Sequence, residues 1–462
     1  MDDQAAVRKI EGPVFRLLDQ KVVEAMERLH VPGVAVGVLH EGKEHAAGFG
    51  VTNVDHPLPV DGDTLFQIGS TTKTVTGTAA MRLVEMGALD LDVPIRTYLP
   101  DLRLSSEEVA ARVTLRHLFT HTAGWVGDYF DDPAHGDDAL AKIVAAMTDL
   151  PQLTPLGEVW SYNNSGFYLA GRVIEVATGK TYQAAVKELV LDPLGMTMSF
   201  FFAAEVITYR VATGHHVIDE RPVVARPWAL PRAGHPAGGI ISTVKDQLRY
   251  ARFHMGDGVA GDGTRLLAPA SVALMQSPQV EASGGNEWGL TWGIRRRGGV
   301  RIILHGGATR GQMSAFVMVP ERDFAITVLT NADRGSTLHD ELTRWALGHY
   351  LGLEEPEPTP LELSEEELAP HVGRYVGAGS TSDFDLSLRD GGLVIQVILK
   401  GGFPTKESPP PPAPPPMRMA FFDVDRVVVL DAPMKGARGE FLRNPDGSIA
   451  WLRISRIRAR QE

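Results

Sequence analysis

Ser70-Thr71-Thr72-Lys73 sets a hydroxyl and an amine at positions i and i+3. On a helix these share one face, so Lys73 Nζ can reach back to Ser70 Oγ. A serine hydroxyl is a weak nucleophile until a neighbouring base takes its proton, and a lysine desolvated among other cations is the neutral amine such a base requires. About one Ser-x-x-Lys arises by chance in a chain of this size, and a second, Ser242-Thr243-Val244-Lys245, is present. Two further clusters carry candidate chemistry. Tyr162-x-Asn164 is the only Tyr-x-Asn in the chain. A tyrosine held near a lysine ammonium has a lowered pKa and can exchange a proton with a substrate, while Asn164 can donate its amide to a substrate carbonyl. The alternative is that both merely cap the helix that follows. In His305-Gly306-Gly307-Ala308, two glycines at a strand end permit close approach of a ligand. The Ala308 and Ser70 N–H groups would then form an oxyanion hole, with His305 at the mouth of the cleft or serving only structure.

The elements that must hold these groups are legible. The segment 64–69 reads as extended and ends in Gly69, which lets the backbone turn sharply into a helix whose apolar face is Val75, Ala79, Leu83, Val84 and Met86. Ser70 would start that helix, where free N–H groups favour developing negative charge. Ser242 or Thr243 instead reads as the N-cap of a helix over 245–253, with Asp246 at the capping-box position, so Ser70 is the favoured nucleophile. The segment 160–166 opens another helix, buried through Phe167, Leu169, Val173, Ile174 and Val176. Residues 7–30 read as a helix, 34–39 and 44–50 as a hairpin, 301–304, 314–319 and 324–329 as strands, and 337–351 as a closing helix. Strands at both ends with helices between imply one sheet packed on a helical insertion.

A chain of 462 residues exceeds one ordinary core. Residues 1–352 form the predicted α/β domain, the acidic, proline-rich stretch 353–361 a linker, and 362–462 a small all-β domain, barrel-like and lipocalin-like. Its strands are predicted at 383–388, 393–399, 419–422, 426–430, 440–443 and 449–454, with hairpin turns at Arg389-Asp390-Gly391-Gly392 and Asn444-Pro445-Asp446-Gly447. The tract 409–416 reads as a stiff polyproline surface loop. A net charge of -12 argues against nucleic acid and anionic membranes as partners. The absence of Cys excludes disulfides, thiolate zinc sites and cysteine nucleophiles. Met1-Asp2-Asp3-Gln4 is no signal-peptide start and no run is long and apolar enough to span a bilayer, so a soluble cytoplasmic protein is expected.

Ser-x-x-Lys, Tyr-x-Asn and His-x-Gly in this order resemble the penicillin-recognising serine hydrolases, with class C β-lactamases, family VIII esterases and D-aminopeptidases as the most similar groups. The resemblance covers roughly residues 10–350. It extends to Leu115-Arg116-His117-Leu118-Phe119-Thr120-His121-Thr122-Ala123-Gly124, to Pro193-Leu194-Gly195-Met196, and to the segment 236–243. It implies that Ser70 is the acylated nucleophile and Lys73 its base or proton relay. Tyr162 would be the second proton carrier, and Asn164 would orient Lys73 and the substrate carbonyl. Gly306, Gly307 and Ala308 would line the substrate edge. His305 stands where β-lactamases carry a lysine; a largely neutral imidazole suits the carboxylate of a β-lactam less well, which favours ester, amide or D-residue peptide substrates.

The expected reaction is hydrolysis through a Ser70 acyl-enzyme, on a small-molecule or peptide substrate and without a cofactor. An acyltransferase or peptide cyclase is the alternative, because an extra wall over the cleft would exclude water and present an amine. A receptor that is acylated without turnover is a third reading. Arg443, Arg453, Arg456, Arg458 and Arg460 either grip a substrate carboxylate or form a solvated strand face. His117 and His121 lack the carboxylate of a zinc-binding His-Glu-x-x-His and read as loop anchors. The acidic loop 128–138, beside Trp125, Tyr129 and Phe130, reads as a solvated rim of the cleft. Oligomeric state is left open.

Overall fold

The computed structural model describes residues 15–410 and 412–461. Helix α1 (Arg16–Leu29) buries Leu18, Val22 and Ala25, one stripe at helical spacing. Positions 7–14 of the predicted helix lie outside the described residues, as do Met1 to Gln4 and Pro411. Strands β1 (Gly33–His40), β2 (Lys43–Gly50), β3 (Val280–Glu281), β4 (Glu287–Trp288), β5 (Gly293–Arg297), β6 (Val300–Ala308), β7 (Met313–Val319) and β8 (Phe324–Thr330) form an eight-stranded sheet in the order β2-β1-β8-β7-β6-β5-β4-β3. The predicted union of both chain ends is the β1–β8 pair, antiparallel from Val34↔Thr330 to His40↔Phe324. β1 is buried on both faces, which is why its sequence runs apolar instead of alternating.

Each face has its own core. Val34, Val36, Val38, Ile302, Val317 and Ile326 pack with α1 and the last helix of this unit, Gly335–Leu351. Ala35, Ile303, Phe316, Met318 and Leu329 face the helical insertion. At its centre lies α2 (Thr72–Glu85), buried nearly all round despite five threonines in Thr72, Thr74, Thr76, Thr78 and the preceding Thr71. Their hydroxyls are satisfied locally or across the helix: Thr74 Oγ1 donates to Thr71 O at 2.8 Å, and Thr78 Oγ1 lies 2.8 Å from the Tyr250 hydroxyl. Met86 falls outside the expected apolar face, as an exposed C-cap residue. Helix α3 (Ser165–Thr178) is buried as expected except at exposed Val176.

Beyond this α/β unit comes a closed, antiparallel eight-stranded barrel: β9 (Gly373–Val376), β10 (Ser382–Arg389), β11 (Gly392–Leu399), β12 (Met417–Asp423), β13 (Arg426–Val429), β14 (Arg438–Arg443), β15 (Ile449–Ile454) and β16 (Arg456–Arg460). Tyr375↔Arg460 and Val376↔Ala459 close it. β9 and β16 are absent from the sequence reading, the first for its shortness and the second for its arginines. At the β10–β11 turn Asp390 and Gly391 both have positive φ, at 51° and 76°, as a tight two-residue hairpin requires. The connecting stretch has no regular structure but is not free. Glu355 takes a charge-assisted bond from Arg297 of the sheet and another, at 2.9 Å, from Arg438 of the barrel. Among the described residues no helix is long and apolar enough to cross a membrane.

Candidate active site

Gly69 has φ 50°, and a Cβ there would lie 2.7 Å from Ala308 N. Only glycine lets the strand end at β6 press against the turn that carries Ser70. Gly307 serves the same approach from the other side, where a Cβ would meet Ile68 O at 2.0 Å and Ser70 N at 2.7 Å. Ser70 then sits in a 3-10 turn (Gly69–Thr71) leading directly into α2. Lys73 Nζ lies 3.0 Å from Ser70 Oγ and donates to Ala237 O at 2.6 Å. The lysine is fully buried, and burial, with the Arg456 cation adding and Asp128 opposing, holds its pKa well below the usual lysine value. With a hydrogen spent on Ala237 O, a neutral amine keeps its lone pair for the Ser70 proton. The rival motif is structural. Thr243 caps its helix by accepting from Asp246 N, Ser242 Oγ pairs with Ser199 Oγ at 2.8 Å, and Lys245 reaches away to Asp63.

Tyr162 stands over this pair, with Lys73 Nζ 5.0 Å from its ring centroid. Two expectations change here. Burial pushes the Tyr162 phenol above its ordinary range, against the pull of Ser70 and Arg456, so it is a neutral hydroxyl and not a phenolate. Asn164 makes no hydrogen bond to Lys73; its Nδ2 donates to Asp128 Oδ1 at 2.7 Å. Neither Tyr162 nor Asn164 caps α3 through its side chain. Asp128 is no solvated rim residue: it is buried, with Arg456 Nη2 donating to Oδ1 at 2.9 Å and Nε 2.7 Å from Oδ2. Arg456 comes from the barrel, and its guanidinium carbon lies 5.0 Å from the Tyr162 ring centroid. Of the five C-terminal arginines it alone lines the cleft. Arg443 is held by Asp425, Arg453 by Glu440, Arg458 by Ser382 and Arg460 by Val372 O.

His305 lies inside the site, buried, and not at its mouth. Its Nδ1–H donates to Gly306 O at 2.6 Å, which leaves Nε2 as an unprotonated, buried acceptor without a partner. Burial, reinforced by Lys73, takes its pKa down to about 3, so the ring is neutral. Tyr162, Trp160, Trp288 and His121 complete an aromatic wall, with Trp288 5.6 Å from His305 between ring centroids. His117 does not join them. Its Nδ1 closes a capping box with Thr114, while His121 Nδ1 accepts from Asn163 N, so the two imidazoles serve different loops. A cavity of about 1300 Å³ opens on Ser70, Tyr162, Asn164 and His305, is walled by Phe403 and Arg456 of the barrel, and runs on past Ile302 and Val317 to Thr343 and Leu347 on the other face of the sheet. The arrangement holds a serine, a buried amine of lowered pKa 3.0 Å away, a neutral phenol and two backbone N–H groups, that of Ser70 at the tip of a helix and that of Ala308 at the end of β6. That is the equipment of acyl transfer.

Sequence reasoning missed Asp128, Ala237 O and the place of Arg456. The first had a signal, an acid among the aromatics Trp125, Tyr129 and Phe130, but no local pattern ties it to Arg456.

A profile of the Beta-lactamase family matches residues 18–350. Penicillin-binding protein 4 of Amycolatopsis lactamdurans is 36% identical over 362 residues, 76% of this chain and 94% of that protein. Among solved structures, SurE superposes with a TM-score of 0.75 at 25% identity, covering 98% of this chain and all of SurE. SurE with D-Leu gives a TM-score of 0.73 at the same identity and coverage of this chain.

Proposed function

We propose, for a chain that belongs to the Beta-lactamase family of serine hydrolases, that Ser70 is acylated by an ester, amide or D-residue peptide and then released by water. One observation carries this reading: Lys73 Nζ stands 3.0 Å from Ser70 Oγ, fully buried and with its pKa held well below the usual lysine value. Lys73 takes the Ser70 proton as Oγ bonds to the substrate carbonyl carbon. The resulting oxyanion lies between the Ser70 and Ala308 N–H groups. As the carbon–leaving-group bond breaks, the neutral Tyr162 hydroxyl gives the departing atom its proton and recovers one from Lys73. Water then attacks the acyl-enzyme, and the same groups return the proton to Ser70 Oγ. Asn164 and Asp128 hold the floor of the cleft, and Gly306 and Gly307 give the substrate room along β6. A neutral His305 favours esters and amides over β-lactams. The similarity to SurE, solved with D-Leu, supports a D-residue at the acyl or acceptor side.

A second reading, transfer to an amine, is favoured by the barrel, whose Phe403 and Arg456 wall the cleft that holds Ser70. Such a wall excludes water from the cleft and gives an acceptor a surface to lie on. In this proposal residues 1–352 carry the chemistry, 353–361 connect, and 362–462 shape the acceptor side, in a cytoplasmic protein. The test is a panel of p-nitrophenyl esters, D- and L-aminoacyl amides and nitrocefin, run with and without added amines and analysed by product mass. Esters or D-aminoacyl amides should turn over faster than nitrocefin. Unchanged products on adding amines would remove the transfer reading, and full activity in Ser70→Ala would remove both.

A further inference from the structure

His121 brackets Tyr162 from both sides. Its backbone carbonyl accepts the Ser161 N–H at 3.0 Å, and its ring Nδ1 accepts the Asn163 N–H, also at 3.0 Å. Between these two bonds lies Tyr162, whose ring packs on the imidazole with centroids 4.4 Å apart. One residue offers carbonyl and ring to the same segment with its backbone left-handed, at φ 56°, a conformation in which Asn, Asp and His are enriched among residues other than Gly. His121 is itself buried, and its ring packs against Trp160, Phe167 and Trp288. The remaining N–H groups of the segment are also held: Tyr162 N by Ser455 O and Asn164 N by Gly127 O, both at 3.0 Å.

We infer that His121 is a positioning residue for the Tyr162 proton transfer: it fixes the phenol over Ser70 through its Nδ1 acceptor, its carbonyl and its ring face. The inference rests on the acyl-serine reading above. His121 does not exchange the proton itself. Nδ1 is occupied as an acceptor, so the neutral ring carries its hydrogen on Nε2, and that N–H has no partner in the structure. Burial, followed by Lys73 and His305, keeps the ring uncharged.

The experiment separates positioning from general loss of structure by changing the leaving group. A p-nitrophenolate departs without a proton, whereas an alkoxide does not. His121→Phe keeps the ring but removes the acceptor, leaving the Asn163 N–H buried and unpaired. His121→Asn restores an acceptor near the Nδ1 position and tolerates the left-handed backbone. Rates are measured for a p-nitrophenyl ester and an ethyl ester of one acyl group, each normalised to the Ser70 titrated by a fluorophosphonate. In His121→Phe the ethyl ester rate should fall about tenfold or more while the p-nitrophenyl ester rate changes by no more than about threefold, and His121→Asn should recover most of the loss. Equal losses on both esters, no loss on either, or an Asn variant as impaired as Phe would overturn the inference. Wild-type protein that takes no fluorophosphonate would instead sink the Ser70 reading beneath it.

Discussion

Arg456 and Asp128 form an ion pair, buried on its carboxylate side, across the junction of the two folded units. Nη2 donates to Oδ1 at 2.9 Å, Nε lies 2.7 Å from Oδ2, and the Asp128 side chain is 3% exposed. The pair joins the last strand of the barrel to the floor of the Ser70 cleft, so the barrel is part of the site and not an appendage.

Breaking the pair from the cationic side strands a carboxylate. Arg456→Gln leaves Asp128 with the Asn164 amide alone and should cost about 3 kcal/mol of stability. Adding Asp128→Asn should recover part of that loss, because it removes the unpaired charge. Denaturant unfolding of the single and double variants checks this; a double variant less stable than Arg456→Gln contradicts it.

The same two groups push the Lys73 pKa in opposite directions. Arg456 lowers the Lys73 pKa and Asp128 raises it, both beneath the larger effect of burial. Arg456→Gln should therefore move the rising limb of Ser70 labelling to higher pH, and Asp128→Asn should move it lower. Fluorophosphonate labelling rates across pH report the limb without a known substrate. Shifts of the same sign in both variants would refute this electrostatic account.

Acid stability has a separate origin. His235, His254, His305 and His339 are buried with pKa values taken down to about 3 by burial, against an ordinary 6.5. Between those values the unfolded chain binds the proton and the folded chain does not, so stability falls as pH drops below about 6.5. Each such histidine contributes up to about 1.4 kcal/mol per pH unit. His254→Gln removes one from the core, with Thr78 still in reach of an amide, and should flatten the fall between pH 6.5 and pH 4 measured by urea unfolding. An unchanged slope would be the contrary result.

The two glycines of β6 are not equivalent. A methyl on Gly307 meets Ile68 O at 2.0 Å, backbone that cannot yield, whereas on Gly306 it meets only Ser314 O at 3.3 Å. Gly307→Ala should push β6 off Ser70 and slow labelling by about 10²-fold or more, as loss of an oxyanion donor does. Gly306→Ala should label within about threefold of wild type. Comparable rates in the two variants would contradict the geometry.

What the sequence made legible was local. Ser70 and Lys73 are one turn apart, Thr243 caps the helix after the rival motif, and Asp390-Gly391 makes its own turn; each follows from neighbours a few positions away. The sheet joining both chain ends followed from apolar runs at 34–39 and 324–329. Burial was harder to read. The expected fall in the Tyr162 pKa reversed because the phenol is wholly enclosed, and desolvation outweighs the nearby cations. The Arg456–Asp128 pair spans 328 positions and lies outside any local pattern. In the 456–460 strand, arginines alternate with Ile457 and Ala459, and the charge hid the period-2 signal of a strand that closes the barrel.

In the proposed reaction Lys73 makes Ser70, and no other serine, a nucleophile. Wild-type protein, Ser70→Ala and Lys73→Met are treated with a fluorophosphonate, digested and mapped by mass spectrometry. One adduct is expected, on Ser70, with none in Ser70→Ala and labelling slowed by about 10²–10⁴-fold in Lys73→Met. An adduct on Ser242 or another residue, or labelling that survives Ser70→Ala, would contradict it.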